Sequence, residues 1–299
     1  MGKGHSFQSR TAWPGLVTEL KSPAPSDSAS TSPTWCSAGY AATGPGRAGT
    51  RFPNDPEFTA NPVNADGHST TVSGVGEFVH ATALPAMDPD LIARAIVRFA
   101  AGYDVAAEVT TAGATVGRDA AIIVPPKDGW VVVDWPRFAT YADRAGGRLS
   151  AEFGVVASSI DIYDSDLWCH IAYDAGCPVD HFASDPREVV ADPAQLPEAR
   201  RRWQGDADVL GDLFDRPPAT IAPYFVNPYT FTFRLFRRFL APHDGKAFPD
   251  DHSPLEDTWV VTDFWRRLGI PYPDAPAEDW PSYPAVVFSG TFPPEASHD

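Results

Sequence analysis

The chain changes composition sharply near residue 76, and this change limits which part of it can fold. Between Lys21 and Thr50, 24 of 30 residues are Ser, Thr, Pro, Ala or Gly. So few apolar side chains cannot offset the entropy that is lost when a backbone becomes ordered. We therefore expect residues 1–76 to be a disordered leader. This leader is either a functional flexible arm or upstream sequence that the cell does not translate.

The negative charge of the chain lies entirely behind this leader. Residues 1–76 hold five Lys or Arg and five Asp or Glu, whereas residues 77–299 hold 18 and 34, and the whole chain carries a net charge of -16. A surface of that sign repels phosphate backbones and anionic lipid head groups. We therefore expect neither a nucleic-acid partner nor a membrane partner. Arginine groups such as Arg200–Arg202 and Arg266–Arg267 are expected to pair with nearby carboxylates on helix faces.

Three features of the sequence favour a cytoplasmic protein. Lys3 and Arg10 are not followed by the apolar run of a secretory signal. The chain also lacks a stretch of about 20 apolar residues that could span a bilayer. Its three cysteines make no even disulfide framework, so we expect reduced thiols. The excess of Arg over Lys, with abundant Ala, Gly, Pro and Asp, is typical of a GC-rich bacterial genome.

Residues 77–190 have the pattern of an α+β domain with a largely antiparallel sheet. Phe78–Leu84 predicts a strand, and Asp88 followed by Pro89 predicts the start of an amphipathic helix. The Asp128-Gly129 turn between two β-branched runs predicts a hairpin. Because helices alternate with groups of strands, we expect the helices to pack on one face of the sheet. The other elements predicted for this domain are strands at 105–110, 120–124, 130–134, 155–163, 167–173 and 179–183, and a short helix at 136–145 broken by glycines 146–147.

Residues 191–299 are expected to form a small, mainly helical subdomain with a Pro-rich tail. Asp206–Phe214 predicts one helix, and the capping-box sequence Ser253–Glu256 predicts the start of another. Residues 231–240 fit either a helix or a strand. The last 29 residues contain seven prolines, so we expect an irregular path over the surface with one edge strand at 286–288.

The densest polar cluster of the sequence supplies the candidate binding residues. Asp164 and Asp166 lie one residue apart on a predicted turn, with Asp161 on the preceding strand. Carboxylate oxygens in this arrangement are hard ligands for Ca²⁺ or Mg²⁺, although the EF-hand pattern is absent. The alternative is that these carboxylates accept hydrogen bonds from backbone N–H groups of the turn. The full set of predicted binding residues is Asp161, Asp164, Asp166, Trp168, His170 and Asp185.

Other chemistries have weaker support in the sequence. Cys169 and His170 are neighbours on a predicted strand and point to opposite faces, so they cannot both ligate one zinc ion without a bulge. Neither a Gly-x-Ser-x-Gly elbow nor a phosphate-binding glycine loop occurs in the expected context. The loop at residues 243–252 could form a metal or acid/base site, or could simply cap the next helix. We therefore assign no catalytic residue, no metal ligand and no cofactor.

Two hypotheses of function follow. The first is an acidic cytoplasmic protein-interaction module without catalytic activity that binds a basic protein, and an immunity-type inhibitor of a basic toxin is one concrete form of it. A strongly acidic surface accelerates association with a cationic target. The alternative is a metal-dependent hydrolase or divalent-cation-binding protein centred on Asp161, Asp164 and Asp166.

Overall fold

The computed structural model describes residues 78–115, 119–137, 139–190, 192–228, 243–273 and 279–293. The predicted leader and the ambiguous segment 231–240 lie outside the described residues.

An antiparallel sheet of eight strands forms the centre of the fold, and the order of its strands in space differs from their order in the chain. The strand order is β2-β8-β3-β4-β1-β5-β6-β7, and every pair of neighbours is antiparallel. The α+β class and the largely antiparallel sheet are therefore confirmed. The strands are β1 Val79–Pro85, β2 Ala106–Thr111, β3 Ala120–Lys127, β4 Trp130–Asp134, β5 Val156–Tyr163, β6 Leu167–Asp174, β7 Cys177–Ala183 and β8 Pro284–Ser289.

The hairpin predicted at Asp128-Gly129 is confirmed. Lys127 pairs with Trp130 across the turn, and Asp128 and Gly129 have φ angles of 49° and 86°. Positive φ at both central residues matches the right-handed twist of the two strands, and Asp-Gly is a preferred sequence for it.

The helix predicted after Asp88 is also confirmed. It is α1, Pro89–Ala101, and the Asp88 side chain accepts a hydrogen bond from the backbone N–H of Asp90 at 2.9 Å. Its buried side, which includes Ile92 and Ile96, packs against one face of the sheet. A second helix, α2 (Ala142–Phe153), packs in the same core, so both helices of the predicted sheet domain lie on one face.

The position predicted for α2 was wrong. The helix spans Ala142–Phe153 and continues through the two glycines that were expected to break it. A Cβ on Gly146 would lie 2.5 Å from Ser159 Oγ, and a Cβ on Gly147 would lie 3.0 Å from Tyr173 Cε1. These glycines therefore let the helix backbone approach the sheet closely, and this tertiary requirement overrides their low helix propensity.

The opposite face of the sheet is covered by helices from the C-terminal part of the chain. They are α4 (Ala207–Phe214) and α5 (Val260–Leu268), and the short helix α3 (Leu196–Arg202) precedes them in the chain. Helices α4 and α5 contribute Leu210, Phe264 and other apolar side chains to a core on this face. The sheet is consequently buried on both faces over its central strands.

Two predictions for the C-terminal part need correction. The helix expected from Ser253 begins only at Val260, because the Ser253 N–H is bound by the Asp263 side chain of α5 and residues 252–253 form part of a loop. The strand expected at an edge, β8, lies between β2 and β3. The chain therefore returns to the sheet after the predicted domain boundary near residue 190.

Two further observations concern the predicted compartment. Among the described helices, none has the length and apolar character needed to cross a membrane. The expectation of reduced thiols is confirmed for Cys169, which is free and buried, and is wrong for Cys177, which is disulfide-bonded.

The packing of α2 predicts the effect of adding one methyl group. Replacing Gly146 by Ala places a Cβ against Ser159 Oγ, so we expect the free energy of unfolding to fall by about 1–3 kcal/mol despite the better helix propensity of Ala. Urea unfolding monitored by tryptophan fluorescence measures this change. A Ser159→Ala background removes the nearest oxygen, and the next one, Thr82 Oγ1, lies at 3.2 Å from the added Cβ. The same substitution should then cost clearly less, and an equal cost in both backgrounds would contradict the close approach.

Candidate functional site

The exposed part of the predicted site is the turn between β5 and β6. Asp164 and Ser165 have φ angles of 51° and 56°, and the N–H of Asp166 donates to the carbonyl oxygen of Tyr163 at 2.9 Å. Both carboxylates are exposed, as is 37% of Tyr163. The turn therefore presents two negative charges beside an aromatic ring.

Asp161 lies inside the protein and is separated from the turn carboxylates. It pairs in register with His80 across β1 and β5, and its Oδ1 forms a hydrogen-bonded ion pair with His80 Nδ1. Both residues are almost fully buried. The ring of Tyr163 packs edge-on against His80, with centroids 5.3 Å apart. Asp161, Asp164 and Asp166 therefore do not converge on one cation-binding position.

The buried His80–Asp161 pair and the titratable groups near it shift one another's pKa values. Burial alone would lower the pKa of His80, but the charge of Asp161 and its hydrogen bond outweigh burial and raise this pKa. Burial raises the pKa of Asp134, at the end of β4, to about 7, and the nearby charge of His80 partly opposes this shift. Burial and the charge of Asp161 raise the pKa of the Cys169 thiol well above its usual value, so this cysteine is not an activated nucleophile.

Trp168 and His170 face the opposite core, with the side chains of α5. Trp168 packs against Phe264, and the His170 ring lies edge-on to the same phenylalanine with centroids 4.9 Å apart. His170 Nε2 lies 2.9 Å from Ser158 Oγ, which also accepts a hydrogen bond from Trp265 Nε1 at 2.8 Å. Since the Ser158 hydroxyl accepts from the indole, its proton is free to be donated to His170 Nε2. The remaining proton of a neutral His170 ring is then on Nδ1.

The other nitrogen of His170 faces Asp180 on β7. Nδ1 and Asp180 Oδ2 are 4.0 Å apart, and neither atom has a hydrogen-bond partner in the described part of the chain. Asp180 Oδ1 instead accepts from the backbone N–H of Asp206 at 2.8 Å, just before α4. Burial lowers the pKa of His170 to about 3 and raises that of Asp180 to about 6. The histidine is thus neutral at physiological pH.

The sequence of contacts from Ser158 through His170 to Asp180 has the atom order of a serine-hydrolase triad. The hydroxyl, however, is held by an indole inside a core, and Ser158 and His170 are completely buried. A nucleophile must reach a substrate carbonyl, and an acylating hydroxyl needs its base to be oriented by the third member. This arrangement joins β5, β6, β7 and α5 instead, and its chemistry is that of a buried polar network.

Asp185, the last predicted residue, lies just after β7 and is also buried. It accepts hydrogen bonds from the backbone N–H and the guanidinium of Arg187, whose ion pair and hydrogen bonds outweigh burial and lower the pKa of Asp185. The six predicted residues are therefore distributed over an exposed turn, two opposite cores and a capped strand end. Only Asp164 and Asp166 are left with exposed carboxylates.

The residues that hold these positions in place were not predicted from the sequence. Asp161 is paired by His80, and His170 is bonded by Ser158 and faces Asp180. A usable signal was present, because polar side chains inside strands that read as buried require internal partners. The partner itself depends on strand order and register, which the sequence pattern does not contain.

Arg266 and Arg267 on the C-terminal helix were expected to pair with nearby carboxylates, and they do. Arg266 and Arg267 of α5 both bond Asp251, at 2.9 and 2.5 Å. Asp251 also accepts from the Tyr224 hydroxyl at 2.8 Å, and Asp263 accepts from Ser253 N–H at 2.9 Å. The part of the 243–252 loop near Asp251 is therefore fixed to α5 by ion pairs, as expected for the arginine groups.

Neither geometry nor comparison assigns this chain to a known class of site. Within the described ranges, no group of three or more His, Cys, Asp or Glu side chains is arranged to hold a metal ion. No family model, no curated protein and no solved structure matches the chain.

Removal of the Ser158 hydroxyl is expected to lower the stability of the fold substantially. Replacing Ser158 by Ala leaves both the Trp265 indole N–H and His170 Nε2 without a partner in a core, so we expect the free energy of unfolding to fall by about 2–4 kcal/mol. Chemical denaturation measures the loss. A Trp265→Phe background removes one of the two orphaned groups, so there the serine substitution should cost about 1 kcal/mol less. Equal costs in the two backgrounds would argue against the shared hydrogen bond.

Proposed function

We propose that this chain is an acidic protein-interaction module without catalytic activity, acting in the cytoplasm, and that its partner is a basic protein. An immunity-type inhibitor that covers the cationic substrate-binding face of a toxin is the concrete form we favour. The proposal is supported most directly by the exposed face of helix α4, where carboxylates remain uncompensated.

Helix α4 carries two exposed carboxylates that no described residue neutralises. Asp208 and Asp212 are four residues apart on its exposed side, beside Val209, which is 36% exposed. Neither carboxylate forms an ion pair with any residue that the structure describes. Like charges at this spacing repel each other. Asp208 lies in the first turn, where the helix dipole stabilises an anion, whereas Asp212 lies in the last turn, where the dipole disfavours one.

This face suits a cationic protein partner. An exposed apolar side chain between two carboxylates gives a partner both a contact that excludes water and charges that attract lysine or arginine. The overall charge of -16 adds long-range attraction that accelerates encounter and weakens as salt is added. The buried clusters described above support a non-catalytic role, because their reactive groups lie inside the two cores, away from any substrate.

Affinity capture at two salt concentrations tests the proposal. The folded chain, immobilised and exposed to a lysate of its source, should retain a basic protein at about 50 mM salt and release most of it at about 500 mM. The Asp208→Asn, Asp212→Asn double variant should retain clearly less of that protein. Recovery of no salt-sensitive protein partner would contradict the proposed function.

A matched variant separates local contact from net charge. The Asp164→Asn, Asp166→Asn double variant removes the same two charges from the exposed β5–β6 turn. We expect it to reduce retention only slightly, through weaker long-range attraction. Equal losses for the two double variants would mean that α4 makes no specific contact, and a larger loss for the turn variant would place the contact at the turn. Thermal melts confirm that both variants are folded.

The alternative proposal, a metal-dependent hydrolase or divalent-cation-binding protein centred on Asp161, Asp164 and Asp166, has less support because Asp161 is engaged by His80. It makes a separate prediction. A cation that binds only the folded state raises the melting temperature by mass action. We expect Ca²⁺, Mg²⁺, Mn²⁺ and Zn²⁺ to leave the melt of the wild type unchanged. A shift that disappears in the Asp164→Asn, Asp166→Asn variant would favour the alternative.

A further inference from the structure

The sheet has two edge strands, β7 and β2, and the outer side of β7 is covered by the segment that leads into α4. Ala183 donates its backbone N–H to the Trp203 carbonyl oxygen at 3.1 Å, and Gly205 donates its N–H to the His181 carbonyl oxygen at 2.9 Å. Pro178, within the same strand, has no N–H to offer. The β7 edge is therefore closed to a further strand.

Strand β2, at the other edge, has polar backbone groups that point away from the sheet. Phe288 of β8 donates its N–H to the carbonyl oxygen of Asp119 beside β3, so its neighbour Val287 directs its own groups toward β2. Glu108 pairs with Val287 and therefore bonds β8. The outward N–H and C=O groups are those of the alternate residues Ala107, Val109 and Thr111. None of the residues that the structure describes forms a hydrogen bond with these outward groups.

Strand β2 lacks the features that commonly keep a further strand away from an edge. Those features are proline, lysine, a bulge or a covering segment. β2 pairs with β8 in one continuous register from Ala106 to Thr111 and contains neither proline nor a basic residue. Val109 is 49% exposed and shares its face of the strand with Ala107, which packs against the core beneath α1. The edge therefore offers unpaired backbone groups together with an exposed apolar side chain.

The outward groups of β2 are complementary to those of a second copy of the same strand. Two β2 strands related by a two-fold axis at Val109 run antiparallel, and each outward residue then faces another outward residue. Val109 faces Val109 of the second copy, and Ala107 faces Thr111. Each of these facing pairs can exchange two N–H···O=C bonds. The two exposed valine side chains also contact each other at the axis.

The position of the one charged residue selects this register among the possible two-fold pairings. With the axis at Val109, Glu108 faces the uncharged Thr110 of the second copy. An axis at Glu108 would oppose two glutamates in a closely spaced pair, which is destabilising. An axis at Thr110 would leave Ala107 beyond the end of the facing strand. The charge and the length of β2 therefore both favour the axis at Val109.

We propose that β2 is the contact through which two copies of this chain associate, by antiparallel strand pairing that makes their sheets continuous. Because the β7 edge is covered, the assembly closes at two copies and does not grow into a fibre. One strand from each copy buries less surface than a standard interface of about 1,600 Å². The dimer is therefore weak, with a dissociation constant on the order of 10–100 µM. Two copies that each carry a charge of -16 repel each other, so added salt strengthens the dimer, whereas it weakens binding to a basic protein.

Sedimentation velocity on the wild-type chain tests the dimer. The weight-average mass should rise from that of one copy, 32.3 kDa, toward that of two copies between about 5 and 500 µM protein. The rise should be larger at about 500 mM salt than at about 50 mM. A single-copy mass at every concentration would overturn the proposal and favour a strand of a different protein as the occupant of the edge. Growth beyond two copies would overturn the closed two-fold pairing.

Hydrogen exchange shows whether β2 itself is the contact. The amides of Ala107, Val109 and Thr111 should exchange rapidly in the dilute sample and become protected in the concentrated one, because their N–H groups are bonded only in the dimer. Protection of these amides already in the dilute monomer would overturn the proposal, since another segment of the same chain would then occupy the edge.

A matched pair of substitutions locates the contact. Val109→Glu brings two carboxylates together at the axis and should weaken association about tenfold or more. Val179→Glu is the control, because Val179 is 39% exposed on β7 and the substitution adds the same charge at the covered edge. It should leave association nearly unchanged. Equal weakening by the two substitutions would contradict a contact at β2.

A proline substitution tests the backbone pairing directly. Val109→Pro removes an outward N–H without removing a bond to β8, which an edge strand tolerates. It should abolish the dimer, and a thermal melt confirms that the variant is folded. Undiminished association of Val109→Pro would contradict strand pairing. If Val109→Pro does not fold, the wild-type exchange data and Val109→Glu still decide.

Discussion

Cover on both faces of the central strands is the constraint on which the rest of this structure depends. Successive side chains of β1 and β5 point into two different cores, one beneath α1 and α2 and the other beneath α4 and α5. A polar group on either face is far from water, and leaving it unpaired costs more than its hydrogen bond contributes when made. Each core therefore contains polar pairs as well as apolar packing.

These polar pairs also define where the helices lie. The hydroxyls of Thr82 and Ser159 are 2.9 Å apart directly beneath Gly146 of α2, and the Ser158 hydroxyl binds the Trp265 indole of α5 on the other side. Apolar packing tolerates small displacements, whereas a hydrogen bond is lost within a few tenths of an ångström. The side of α2 that contains Gly146 is consequently held over Ser159, and the Trp265 indole of α5 is held over Ser158. These two serines are adjacent residues of β5.

The same constraint explains how much of the structure could be predicted. Turn chemistry and periodicity are local, so the Asp128-Gly129 hairpin and the Asp88 cap were predictable from their own residues. The path of α2 was not, since glycines 146–147 look like a helix break until the sheet beneath them is known. The interior place of β8 likewise depends on pairing with strands more than 150 residues away in the chain.

The candidate site was predictable only as a list of residue types. Asp161, Asp164 and Asp166 are close in sequence, which suggested a common site, but the strand ends at Tyr163. A residue within the strand takes the environment of its face, whereas residues on the turn project into solvent. One carboxylate is thereby paired with His80 and two are exposed. Closeness along the chain carried no information about this division, because it depends on where one strand stops.

Among the described residues, arginines pair with the carboxylate beside α5 but with neither exposed carboxylate of α4. On α5 the chain supplies Arg266 and Arg267 to neutralise the buried Asp251, and each bonds it directly. On α4, whose apolar side contributes to the same core, the exposed Asp208 and Asp212 receive no such partner among the described residues. Arg216 follows Asp212 by four residues, but it lies beyond Asp215, which ends the helix, and its guanidinium bonds the Asp215 carbonyl oxygen. A cation of another molecule between Asp208 and Asp212 would relieve their repulsion, and this is the basis for proposing a contact of α4 with a basic partner.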